Sequence, residues 1–427
     1  MNSNDRHDEY DAIIVGSGTA GATIASELSR SKKKVLILEK GETVVLRETL
    51  AGILAIAQEV KLGKGRLSTV RAITTGGSTG MYFGVVGYPD LDIFSALGID
   101  LSWALAEVKA QLPIAPIPDE LLTPQASRLR DSANTLGHVW GKYDMLVDWS
   151  RCHGGYSYDA KWKARSLVES ALDDGAVLTT RATVDRILVE DGIAVGVEYH
   201  EKNGLWRSRQ RRAFGKKIVL AAGELATPGI LRDSGLRDVG DRGFVCNPGY
   251  AIYGLVPDMQ GISGFVGSMG CMDDDGIELG DANIPRPIHG PMMLGGLNFR
   301  HLFSFPKTLG IGVKVKDEFG GELTDDGRFR KQISVADQAK LDKGRRRAVE
   351  ILKHAGARHI VDFGVTAAGR VGGMVRINEH IDSQLETPYR NLHVCDGSII
   401  PEALRVPPTL TLVCLGKYLS RHLSTQI

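Results

Sequence analysis

Apolar and polar residues alternate along the first forty positions in blocks that read as strand, turn, helix and strand. Tyr10 to Val15 is an unbroken apolar, β-prone run, as expected of a strand buried on both faces. From about Ala20 to Ser29, Ala20, Ile24 and Leu28 recur at helical spacing, so one helix face is expected to pack on a sheet. Lys32 to Lys34 makes a solvated turn, and Val35 to Leu38 is a second buried strand. The joint between first strand and helix is Gly16-Ser17-Gly18-Thr19-Ala20-Gly21, a GxGxxG in the context that gives the motif meaning. Gly16 permits the turn, Gly18 lets the backbone approach a pyrophosphate, and Gly21 lets the helix lie close to the strand. An anion would sit on the helix N-terminus, where unpaired N–H groups gather. Glu39 closes the second strand, where a carboxylate accepts ribose hydroxyls and repels a 2′-phosphate, which disfavours NADP.

Further along, the pattern predicts a helix across Glu42–Leu67 with Leu50, Ile53, Leu54 and Ile56 as its apolar stripe. A small-residue run, Thr74 to Met81, follows; so many glycines suit either close approach to a flat, bulky ligand or a plain loop. Residues 90–145 read as peripheral helices punctuated by proline. A helix is expected from about Ala160 to Leu172, then strands Thr183–Glu190 and Ile193–Tyr199 joined by Asp191-Gly192, a hairpin signal. The strand Lys217–Ala222 leads into a helix near Pro228. Ala251–Val256, Met292–Leu297 and Leu309–Val315 look like strands, Val335–His354 and Thr409–Leu423 like helices, and Asn391–Cys395 like a short strand.

Composition narrows the class. A chain of 427 residues, 43% hydrophobic, can bury a sizeable core. With 52 Lys and Arg against 51 Asp and Glu, nothing points to nucleic acid. The polar start MNSNDRHDEY is no secretory signal and no apolar run is long enough to span a membrane, so the cytoplasm is expected. Five scattered cysteines without CxxC spacing suggest neither a disulfide framework nor a metal site.

Taken together, the motifs resemble the glucose-methanol-choline (GMC) flavin oxidoreductases over most of the chain. VGSGTAGATIASELS with Glu39 is similar to that family's FAD fingerprint, and TTGGSTGMYFG to its flavin-contacting loop. Val184 falls where the family meets adenine, AAGELATPGILRDSGL matches its second signature, and NLHVCDGSIIPEALRVPPTLTL its closing segment. The resemblance implies an α/β protein: a Rossmann-like FAD-binding domain, discontinuous in sequence (1–95, 151–249 and 361–427), with a peripheral helical segment (96–150) and an α+β substrate domain built on an antiparallel sheet (250–360). It implies that FAD is held by Gly16, Gly18, Thr19, Ala20, Gly21, Glu39, Lys40, Gly76, Gly77, Ser78, Thr79, Gly80, Met81, Val184, Ala222, Gly223, Thr227, Asp396, Gly397, Pro408 and Thr409. The expected activity is hydride transfer between a small organic substrate and flavin, with an unknown electron acceptor. NAD remains an alternative for the first βαβ unit alone.

One feature of that family is missing. Alcohol oxidation needs a base for the hydroxyl proton and a donor that holds the oxygen. The family uses a histidine with a second histidine or asparagine; here the matching positions are Thr366 and Pro407. Thr366, Glu402, Arg405 and His289 are the candidate catalytic residues, although an ion pair is the simpler reading of Glu402 and Arg405, and a packed or surface residue of His289 and His301. The gap leaves room for a lyase, hydratase or cyclase in which FAD has no net redox role, or for a flavin-loaded protein without catalysis.

Overall fold

The computed structural model describes residues 9–63, 65–204, 207–404 and 406–427. Its first sheet has seven strands. Val177–Thr179, Val35–Leu38, Tyr10–Val15 and the C-terminal part of Arg207–Leu220 lie side by side in parallel, and Leu392–Val394 adds to the last of these. The N-terminal part of Arg207–Leu220 leaves this parallel layer and pairs antiparallel with Ile193–Asn203, which pairs with Ala182–Glu190. At the hairpin between those two strands, Asp191 and Gly192 have φ of 49° and 76°, the left-handed pair that a two-residue turn matched to strand twist requires.

The helix Thr19–Arg30 packs between the sheet and the C-terminal helix Thr409–Ser424. Ala20, Ile24 and Leu28 are buried as the spacing predicts. Gly416 marks the closest approach of the two helices, since a Cβ there would stand 2.8 Å from Thr23 Cβ. A single apolar cluster joins strands and helices of this half.

A second sheet of nine strands runs Ala57–Lys61, Ser68–Ala72, Ala367–Ala368, Pro248–Leu255, Thr308–Val315, Ile277–Asp281, Met269–Met272 and Gly141–Lys142, with His359–Asp362 also on Pro248–Leu255. Most of its pairings are antiparallel, and its strands come from residues 57–72, 141–142 and 367–368 as well as from the expected 250–360. The helix Val335–His354, capped by Ser334 whose hydroxyl accepts from Asp337 N–H, lays Leu341, Gly344, Ala348, Ile351 and Leu352 on it. Together they form the second core.

Four expected elements differ. Residues 90–145 are not helical throughout: Ile114–Pro116 pairs with Asp144–Leu146, and Gly141–Lys142 joins the edge of the second sheet. Only Leu50–Ile56 of Glu42–Leu67 is helical; the chain then becomes the edge strand Ala57–Lys61, and the supposed stripe is largely exposed, with only Ile56 buried. Pairing with Ser68–Ala72 outweighs helix propensity there. Met292–Leu297 is not a strand: Arg286–Gly295 is a helix whose His289 and Met293, four residues apart, are its buried residues. The helix expected from Ala160 begins at Arg165, because Lys161 is drawn inward to pair with Glu48 at 3.0 Å. No helix among the described residues is long and apolar enough to cross a membrane.

Candidate functional site

A cavity opens at the C-terminal edge of the parallel strands, where ligands bind in open α/β sheets. Val15, Gly16, Gly18, Thr19 and Ala20 form its floor, Leu38, Glu39 and Lys40 one side, and Thr183 and Val184 its far end. Gly77 and Ser78 come from the second glycine run, Ala222, Gly223 and Glu224 from the second signature, and Asp396, Gly397 and Leu412 from the closing segment. Pieces separated by almost four hundred residues thus meet in one groove.

The glycines work as their positions predict. Gly16 has φ of 100°, and a Cβ on it would fall 2.3 Å from Ala221 O. A Cβ on Gly21 would fall 2.1 Å from Gly16 O, so the helix meets the turn backbone to backbone. On Gly18 a Cβ would meet nothing within 4 Å: the space above it belongs to the cavity. Gly77, at φ of 58°, brings the second loop against Gly18.

Two carboxylates anchor the walls. Glu39, 7% exposed, accepts from Ser17 and Gly41; Asp396, 4% exposed, accepts from Gly223 N (3.0 Å), Thr227 Oγ1 (2.5 Å), Ser398 N (2.8 Å) and Ser398 Oγ (2.6 Å). Burial pushes the Asp396 carboxyl up, against the pull of those donors. Thr227 therefore acts on the cavity through Asp396 rather than lining it.

Gly21, Gly76, Thr79, Gly80, Met81, Thr227, Pro408 and Thr409 do not line this cavity. Thr79 ties the second glycine loop together, its hydroxyl donating to Gly76 O and accepting from Ala164 N. Pro408 and Thr409 begin the C-terminal helix. Arg71 and Glu224 line the cavity but carry no motif signal at Arg71, and at Glu224 only an acid lodged inside a quoted signature. Arg71 donates to Gln58 Oε1 from Nε and Nη2, at 3.0 and 2.9 Å, and burial lowers its pKa. Burial raises the Glu224 carboxyl, Asp396 adds to that rise and Arg71 opposes it.

The catalytic candidates are dispersed. His289 lies in the side cluster of the second sheet, its Nε2 3.2 Å from Thr308 Oγ1 and its ring edge-on to Phe305; burial lowers its pKa. Thr366 is held by its backbone between Gly249 and Ser68. Glu402 pairs with Lys316. Arg405 lies outside the described residues.

The site fits FAD. A floor without side chains suits a pyrophosphate, the Glu39 wall a ribose, the strand Ala182–Glu190 an adenine, and the closing segment supplies a further wall that a mononucleotide would leave unused.

Residues 101–244 match the GMC oxidoreductase family and residues 14–47 an NAD(P)-binding Rossmann-like domain. An uncharacterized GMC-type oxidoreductase of Mycobacterium tuberculosis is 26% identical over 82% of this chain; the match spans 61% of that relative's own length. A long-chain-alcohol oxidase of Arabidopsis thaliana is 23% identical over 97% of the chain and 68% of its own. Among solved structures, pyridoxine 4-oxidase from Mesorbium loti has a TM-score of 0.71 at 15% identity, covering 97% of this chain and 99% of that one, a likeness of fold. Motif order, the match over residues 101–244 and the likeness of fold point the same way: the chain is similar to the GMC oxidoreductases.

Proposed function

We propose that the protein is an FAD-dependent oxidoreductase that moves hydride between a small organic substrate, at an alcohol-type carbon or a carbon–carbon bond, and flavin. The observation that carries this reading is the single groove shared by the glycine turn, Glu39, Gly77, Val184, Gly223 and Asp396. FAD, when bound, supplies the two-electron acceptor; the protein supplies position and charge. Glu39 and Asp396 set the walls, and Gly18 and Gly223 leave the main chain open to the cofactor.

For the proton, Glu402 is the residue that we put forward. It stands on the segment entering the C-terminal helix, and Lys316 holds its carboxylate in place. Thr366 and Pro407 cannot accept a proton at neutral pH, and His289 is packed elsewhere. The relatives named as alcohol oxidases support an alcohol-type substrate.

The test is spectroscopic. Purified protein should carry FAD and bleach under anaerobic conditions with a primary or secondary alcohol in a donor screen. FAD-loaded protein whose spectrum no donor and no acceptor changes would remove the redox reading. The exchange of the family's histidine and asparagine for Thr366 and Pro407 favours, as a second reading, a lyase, hydratase or cyclase; turnover surviving with 5-deaza-FAD would select it.

A further inference from the structure

A second group of charged side chains lies outside the nucleotide groove. Along Thr308–Val315 the residues Leu309, Ile311, Val313 and Val315 are buried in the core under the helix Val335–His354, so Gly310, Gly312 and Lys314 face the opposite side of the sheet. The register sets Lys314 between Gly249 and Glu278: one neighbour has no side chain, the other a carboxylate. Arg370 reaches the same carboxylate, Nη2 lying 3.1 Å from Oε1 and 2.8 Å from Oε2.

Arg370, and the strand that carries Lys314, are tied to the segment that enters the C-terminal helix. Arg370 Nη1 donates to Leu404 O at 3.3 Å and Asn247 Nδ2 to the same oxygen at 3.0 Å, while Lys316, two residues beyond Lys314, pairs with Glu402. With Lys316 neutralised by Glu402, two cations, Lys314 and Arg370, share one carboxylate in a place where water is scarce: Arg370 is 8% exposed, and burial holds the Lys314 ammonium below its ordinary pKa. An isolated charge in such a place is costly, and a counter-ion relieves it. Beside the cluster the Tyr143 hydroxyl, which lies over Gly270, lacks a hydrogen-bond partner among the described residues and is a donor free to meet an anion; Asn247 Oδ1 and Glu278 Oε2, likewise without a hydrogen bond there, are acceptors and do not add to such a site.

We infer that Lys314, backed by Arg370 and Glu278, binds an anionic group of the substrate, a carboxylate or a phosphate, at the edge of the closing segment. The Tyr143 hydroxyl is the second donor of this site. The glycines at 249, 312 and 280 keep the neighbouring sheet face low, so an extended substrate can lie along it. That the ligand is a substrate rests on the oxidoreductase reading; that an anion binds here does not.

The experiment therefore reads binding and not turnover. FAD-loaded protein is titrated with benzoate, with inorganic phosphate and, as the uncharged control, with benzamide, at ionic strength held constant with potassium chloride, and thermal stability is followed. Benzoate or phosphate should raise the melting temperature in a saturable way, the better of the two naming the class, and benzamide should not. Lys314→Met should weaken that anion at least tenfold with FAD content unchanged. Glu278→Gln should tighten it, because the competing carboxylate is gone, a change of sign that a merely structural residue would not give. Equal binding by wild type and Lys314→Met, or no anion better than chloride, overturns the inference. Either result would stand even if the flavin is reduced by a neutral alcohol, so the two readings fail separately.

Discussion

Ser17 and Glu39 are joined twice, the backbone N–H and the hydroxyl of Ser17 both donating to Oε2 of Glu39, at 3.0 and 2.6 Å. The other carboxylate oxygen accepts from Gly41 N–H at 2.7 Å, and Ser17 Oγ accepts in turn from Gly76 N–H at 3.2 Å. The acid that ends the second strand thus holds the glycine turn in shape and, through Ser17, fastens the second glycine loop to the first. The side chain proposed to meet the ribose therefore also sets the loop geometry.

Glu39→Gln should for that reason cost more cofactor affinity than the loss of a ribose contact alone. Charge-assisted hydrogen bonds contribute about 1.5–3 kcal/mol each, so a weakening of roughly ten- to a hundredfold in FAD affinity is expected. Recovery of flavin fluorescence on dilution measures it. Ser17→Ala, which keeps the backbone donor, should show a smaller loss.

Gly18 and Gly21 look equivalent in the sequence but differ in surroundings. A methyl on Gly18 meets nothing of the protein within 4 Å and projects into the cavity, whereas one on Gly21 would stand 2.1 Å from Gly16 O. Gly18→Ala should leave the melting temperature of the cofactor-free protein nearly unchanged while FAD binding fails. Gly21→Ala should lower that melting temperature outright, since backbone must move. Equal melting temperatures for the two variants would contradict the packing.

Much of this is legible in the sequence. The GxGxxG turn, Glu39, the Asp191-Gly192 hairpin and the helix Val335–His354 are local features, each announced by spacing or by a residue with a special backbone role. What stayed hidden depends on distant pairing. Within Glu42–Leu67 the stripe Leu50, Ile53, Leu54 and Ile56 does lie on a short helix, yet an edge partner draws the next five residues, Ala57–Lys61, into a strand. Arg71 enters the cavity because the strand Ser68–Ala72 leads straight into the second glycine loop, and no motif foretells that. The register that seats Lys314 opposite Glu278 likewise pairs strands that are more than thirty residues apart, and neither residue carries a motif.

Glu402→Gln tests the proposed proton acceptor. A group that takes a proton in the transition state is worth about a hundredfold or more in rate, whereas an exposed ion pair changes little. Turnover of the best alcohol found should fall at least a hundredfold with KM nearly unchanged. Thr366→Ala should alter the rate less than tenfold. A few-fold loss in Glu402→Gln would return Glu402 to a structural ion pair with Lys316.

The five cysteines are free, and four of them are buried. Burial raises Cys271 to about 11 and Cys414 to about 12, and Cys246 and Cys395 stand well above the ordinary range. Thiolates are the reactive form, so at pH 8 the native protein should react slowly with a thiol reagent such as Ellman's. All five should react promptly in guanidinium. A rapidly modified cysteine in the native state would point to an electropositive neighbour that the structure does not show.

Asp281 gives stability an unusual pH dependence. Its carboxyl is 4% exposed behind Ser268 and Met269, and burial raises its pKa to about 7, above the 3.8 of an ordinary aspartate, although those donors pull the other way. The folded chain then keeps a proton that the unfolded chain releases above pH 4. Stability from this group is complete below about pH 4 and declines as pH rises through 7, the reverse of the usual salt-bridged aspartate. At 1.36 kcal/mol per unit the full effect is roughly 4 kcal/mol, an upper bound. Asp281→Asn removes the ionisation while keeping one acceptor for Met269 N–H. The difference in melting temperature, variant minus wild type, should therefore grow in the variant's favour between pH 5 and pH 8. A difference that is flat across this range would show that Asp281 ionises normally in the folded protein.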